Sequence, residues 1–202
     1  ISQLILYMLH GHGLDEVRDR GAREAAMKGL SFWIDKADKV QNTFERFGLK
    51  ALQDFRRRDL PAALDKLETI RPLGRADYAF HLMLACIHVE SGDWRKANSA
   101  LSTALELEPT ALEARILRAV VRLNIEDLAG ARVDAEKSVE AAPPTPAVAY
   151  LAYLVRARVY QEARETPKAL SDLRRAGGMA GSMAGAINGV HQKWQQSARP
   201  EK

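Results

Sequence analysis

The residues able to do chemistry are few, and most are badly spaced for it. "HGHG" (His10 to Gly13), with Asp15 and Glu16 just beyond, offers two imidazoles and two carboxylates. Zinc takes such donors, but this spacing matches no metal-site pattern, and the glycines read first as a turn. His81 and His88 would lie about 10.5 Å apart along a helix rising ~1.5 Å per residue. That is too far to share one ion, so hairpin packing is the expected role. The lone cysteine, Cys86, can form neither an internal disulfide nor a metal site with other thiols. "GGMAGSMAG" (Gly177 to Gly185) lacks the Lys-Ser/Thr of a phosphate loop and follows a helical pattern, not a strand, so it reads as a linker. No nucleophile elbow, His-Glu-x-x-His or Cys-x-x-Cys is present. The expectation is therefore no catalytic residue, no metal and no cofactor.

Function must then rest on what the larger elements present. The chain has 202 residues, 47% of them apolar and 28% charged. That is enough for one well-buried domain or a row of small units sharing a core. Alanine and leucine dominate, β-branched residues are sparse, and prolines fall between long proline-free runs, which favours helices. The net charge of +4 permits an acidic partner without implying one. The apolar run Leu4 to Leu9 is far short of the roughly 20 residues a membrane span needs. A leader or anchor before Ile1, and the compartment, stay open.

A period organises the chain. Ala63, Ala97 and Ala131 are spaced 34 residues apart, and Ala169 follows after 38. Alanine recurs twelve positions earlier at Ala51, Ala85, Ala119 and Ala157. An acid stands four before each reference alanine, at Asp59, Asp93, Asp127 and Glu165. Core residues stand four after, at Leu67, Leu101, Ala135 and Leu173, and seven after come Ile70, Ala104, Ser138 and Ala176. Fixed periods of this size mark a solenoid. Small residues let paired helices approach, and the acid opens each second helix, where the helix dipole favours negative charge. Leu60, Trp94 and Leu128 follow the acid as apolar contacts at the turn. Pro109 and Pro143 end second helices, and "PPTP" (Pro143 to Pro146) accounts for the longer last spacing.

These columns resemble the tetratricopeptide repeat: a 34-residue period with small residues at positions 8, 20 and 27, a Gly-Asp-aromatic turn and a proline at 32. The match is best from Tyr78 to Ala111. Ser138, Thr166 and the missing proline of the first unit depart from it. The resemblance implies an all-α, right-handed superhelical solenoid of antiparallel hairpins, here 44–77, 78–111, 112–145 and 146–177. Residues 1–43 would add a helix whose apolar face, Leu30, Trp33, Ala37 and Val40, runs on to Phe44 and Phe47 at the start of the first hairpin. Residues 178–202 would supply a linker, a capping helix opened by Ser182 with Met183, Ile187, Val190 and Trp194 inward, and a polar tail. Arg118 and Asp134 occupy the same two sites as Arg156 and Asp172, and Leu84 and Ala100 fill them in the second hairpin. Paired helices should therefore face each other there. Lys50 and Lys66 break that rule in the first hairpin.

In such repeats the first helix of each hairpin lines a concave surface. Carried over residue by residue, that places Leu52, Phe55 and Arg56, then Leu82, Cys86, Val89 and Glu90, then Ile116, Val120, Leu123 and Asn124, and finally Leu154, Arg158 and Gln161. The resemblance implies a non-enzymatic adaptor, scaffold or assembly factor taking an apolar or amphipathic partner segment. Gly48 and Leu52 at the matching positions of the first unit argue against a carboxylate clamp. The chain's own Leu4–Leu9 segment or Trp33 helix could instead fill the groove. The alternative is a helical-repeat RNA binder using Arg56 to Arg58, Arg115, Arg122 and Arg158. Acids along the chain balance those arginines, and no aromatics interleave them. A membrane would be met only indirectly or through an anchor upstream.

Overall fold

A computed structural model describes residues 43–74, 77–141, 146–179 and 184–197. The Leu4–Leu9 run, the His10–Gly13 motif, Leu30 to Val40 of the Trp33 face, Pro143 and Pro144, Ser182 and Met183 lie outside these residues. Contacts divide the chain into two compact units, one ending at Pro109 and the other resuming at Thr110. The first holds α1 (Thr43–Arg57), α2 (Leu60–Gly74), α3 (Tyr78–Glu90) and α4 (Trp94–Leu107). The second holds α5 (Leu112–Asn124), α6 (Leu128–Glu140), α7 (Pro146–Glu162), α8 (Thr166–Met179) and α9 (Ala184–Ser197). No strand occurs among the described residues. Each helix packs on the next within its hairpin: α1 on α2, α3 on α4, α5 on α6, and α7 on α8. Successive hairpins also touch through α2 and α3 in the first unit and through α6 and α7 in the second, where α9 closes against α8.

The acid column proves to have two jobs. In all four hairpins the residue before the acid has a left-handed backbone: Arg58 (φ 64°), Gly92 (φ 74°), Glu126 (φ 63°) and Arg164 (φ 59°). Its N–H reaches back to the carbonyl of Phe55, Val89, Leu123 or Gln161, at 3.0–3.2 Å. The acid's own N–H reaches the carbonyl of Asp54, His88, Arg122 or Tyr160, at 2.8–2.9 Å. This paired closure satisfies carbonyls that the helix end would otherwise orphan. The acid then caps the next helix. Asp59 Oδ1 accepts from Ala62 N (3.1 Å), Asp93 Oδ1 from Lys96 N (3.3 Å) and Asp127 Oδ1 from Gly130 N (2.9 Å). Glu165, one methylene longer, instead ion-pairs with Arg132 and Lys168, at 2.7 and 2.6 Å. One residue thus ends a helix and begins its partner, which holds the turn length constant while other turn residues vary.

Every column alanine is buried: Ala51, Ala85, Ala119 and Ala157 on first helices, and Ala63, Ala97, Ala131 and Ala169 on second helices, all at 0% exposure. Leu67, Leu101, Ala135, Leu173, Ile70, Ala104 and Ala176 fill the rest of the interior. Ser138 is tolerated there because its hydroxyl donates to Asp134 O at 2.7 Å, leaving no unsatisfied donor. Ile187 and Val190 bury the inner stripe of α9, with Trp194 half-buried beside them.

Candidate protein-binding face

The residues expected to line a groove sit on first helices, and each unit presents its own set. In the first unit Leu52, Phe55 and Arg56 are half-buried along α1, with Leu82 half-buried on α3. Cys86 and Val89 are enclosed. Burial pushes the Cys86 thiol up to about 11, so it is a small apolar filler and not a nucleophile. Glu90 faces the turn of the preceding hairpin, where Arg58 Nη1 stands 3.5 Å from its Oε2. In the second unit α5 and α7 lie against each other. Ile116, Val120 and Leu154 are buried, Leu123 is half-buried, and Asn124 is exposed, its Nδ2 donating to Val120 O at 2.9 Å. Arg158 pairs with Glu162 one turn on, and burial lowers its pKa. Gln161 carries an enclosed Oε1 with no hydrogen-bond partner.

Of the residues expected along the concave surface, Cys86, Val89, Ile116, Val120 and Leu154 are buried. They are enclosed by the chain itself, because apolar surface of that extent gains by leaving water. The partly open residues are Leu52, Phe55 and Leu82 in one unit and, separately, Leu123 and Asn124 in the other.

Behind this face the hairpins are pinned by charge. Arg118 Nε and Nη2 grip both oxygens of Asp134 at 2.8 Å. Arg156 grips Asp172 likewise, at 2.7 and 2.9 Å, and its guanidinium pKa is raised by that carboxylate. Both arginines are structural clamps between paired helices. Two features escaped the sequence. Arg122 joins Asp134 at 2.8 Å and also donates to Gly130 O at 3.0 Å. In the first hairpin the same pair of sites holds the reverse charges: Lys66 binds Asp54. Lys66 is thus accounted for by a spacing of 12, a signal a search at 16 passes over. The second feature is a run of cations against tyrosine rings. Arg132, Arg156 and Lys168 lie 5.4–5.6 Å from the Tyr160 centroid, and Arg156 and Arg175 lie 5.6 Å from Tyr153.

Three of the arginines considered for RNA are engaged with acids. Arg58 is engaged with Glu90, Arg122 with Asp134 and Asp127, and Arg158 with Glu162. Among the described residues no three His, Cys, Asp or Glu side chains stand together as metal ligands, and no helix is long and apolar enough to cross a membrane.

No family model matches the sequence, and no curated protein does either. Solved structures do match in fold. MamA (the RS-1 ArsTM double mutant) superposes with a TM-score of 0.61 at 18% identity, over 79% of this chain and 98% of that one. TTC0263, described as a thermophilic TPR protein of Thermus thermophilus, superposes with a TM-score of 0.63 at 14% identity, over 84% and 94%. Hairpins with this period, these small-residue columns and these neighbours make the chain an all-α helical-repeat solenoid protein of the tetratricopeptide type.

Proposed function

We propose that the chain is a non-enzymatic protein-interaction module, an adaptor, scaffold or assembly factor that receives an apolar or amphipathic segment of another protein on its first-helix faces. The observation that carries this is the partly open apolar side chains of each unit, Leu52, Phe55 and Leu82 in one and Leu123 in the other, on helices whose other faces are committed to the core. Apolar side chains left at a rigid surface favour a partner's apolar groups. The shared fold supports an interaction role in general terms.

The test is selection from a displayed library of random twenty-residue segments on the immobilised chain. Retained segments should be apolar or amphipathic. They should weaken about tenfold or more against Phe55→Asp or Leu123→Asp, a burial-site charge costing at least ~1.4 kcal/mol. Raising salt should change their affinity little. Retention that ignores both substitutions, or no retention above background, overturns the reading.

A further inference from the structure

The exposed faces of the second helices differ in charge. On α2, Asp65 and Glu68 stand outward with Arg71; on α4, Glu106 with Arg95 and Lys96; on α6, Glu140 with Lys137. On α8 the exposed charges are Lys168, Arg174 and Arg175, all cationic. Its one carboxylate, Asp172, is 3% exposed and held by Arg156. The pattern continues into α9, which carries exposed Lys193 with Asn188, Gln192, Gln195 and Gln196 and no acid. A Cβ on Gly177 would meet Ile187 and Asn188. At the foot of α8, Glu165 is taken up by Arg132 and Lys168. Neither Arg174 nor Arg175 has a carboxylate partner among the described residues, and Arg175 lies over the Tyr153 ring.

We propose that this α8–α9 face docks an acidic segment of a protein, a run rich in Asp or Glu, at a site separate from the first-helix faces. Charge segregation on one second helix and its closing helix, against mixed charge on the other second helices, is what an anionic partner would use for steering and recognition. Three classes of anionic partner compete, and the surface favours one. Single-stranded nucleic acid needs open rings on which bases stack, but Tyr153 and Tyr160 are already faced by cations. A lipid surface needs an apolar wedge beside the cations. Among the described residues the exposed large apolar side chains are Leu73, Leu107 and Val133, none of them on α8 or α9. An acidic peptide needs neither. The outer amides of α9 can in addition pair with its backbone.

The experiment is fluorescence anisotropy with the full chain and three probes: a labelled twelve-residue Glu-Gly peptide, a twelve-residue oligouridine, and vesicles containing phosphatidylserine. The Glu-Gly peptide should bind, and weaken about tenfold between roughly 50 and 300 mM salt. Arg174→Glu with Arg175→Glu should weaken it by about tenfold again, while Arg95→Glu in the first unit changes it by less than about twofold. Arg174→Gln with Arg175→Gln, neutral and helix-compatible, serves if the charge reversal fails to fold, and circular dichroism checks both. The proposal is overturned if the Glu-Gly peptide does not bind or binds the double variant equally well. Tighter Arg174- and Arg175-dependent binding of oligouridine or vesicles also overturns it, assigning the face to nucleic acid or lipid.

Discussion

The hairpins α3–α4 and α5–α6 share one backbone plan and close it with opposite chemistry. At matched sites the first packs Leu84 and Ala100, 4% and 9% exposed, while the second sets Arg118 against Asp134, the latter 2% exposed. The alanine columns and the turn hydrogen bonds are the same in both. Helix separation is therefore set by the small residues, and the matched sites accept any pair that leaves nothing unsatisfied. An ion pair there loses much of its Coulomb gain to desolvation. Its value over a leucine is a strict requirement for its partner.

The sharpest way to break that comparison is to remove one side of the clamp. Asp134→Ala takes from Arg118 its two-pronged carboxylate and from Arg122 one of its partners, and should cost about 3–5 kcal/mol, read from urea unfolding. Arg118→Leu combined with Asp134→Ala copies the α3–α4 solution. It should return to within about 2 kcal/mol of the parent, with Arg122 still held by Asp127 and Gly130 O. If the double variant is as unstable as Asp134→Ala alone, the two hairpins are not interchangeable.

A smaller effect distinguishes their turns. Gly92 and Glu126 occupy the same left-handed position, which costs a side-chain-bearing residue about 1–2 kcal/mol. Gly92→Ala should destabilise by about that amount. Glu126→Gly should stabilise by up to about 1 kcal/mol, since the added freedom of the unfolded chain offsets part of the gain. Thermal melts of the two variants should move in opposite directions.

The smallest effect is in pH. His88 on α3 is half-buried, and burial holds its pKa below the ordinary imidazole value, with Asp93 opposing and Lys96 and Arg71 assisting. An imidazole depressed in the folded state binds its proton more readily when unfolded. Its contribution to stability is full above about pH 6.5 and is lost as pH falls through the folded value. His88→Gln should flatten the change in melting temperature between about pH 7 and pH 5. An unchanged slope would mean that His88 does not shape that limb.

Much of the fold was legible because its determinants are local and periodic. The alanine columns, the acid that opens each second helix, and the Arg118–Asp134 and Arg156–Asp172 pairs can be read at fixed spacing. The Lys66–Asp54 pair was hidden because its charges are reversed and its partner is a turn away from the site inspected. The left-handed turns at Arg58, Glu126 and Arg164 were hidden because only Gly92 announces that backbone by its residue type. The groove was the least legible part. A first-helix position defines a direction from the helix axis, and whether anything lies over it depends on residues distant in the chain.

By itself, then, the sequence determined the period, the helical hairpin, the small-residue contacts and two of the clamps, since each follows from spacing along a helix. Only the tertiary structure decided that Cys86, Val89, Ile116, Val120 and Leu154 are enclosed while Leu52, Phe55, Leu82 and Leu123 stay partly open. It also decided that the carboxylate of α8, Asp172, is buried while Arg174 and Arg175 stay exposed, because burial belongs to surfaces assembled from several helices.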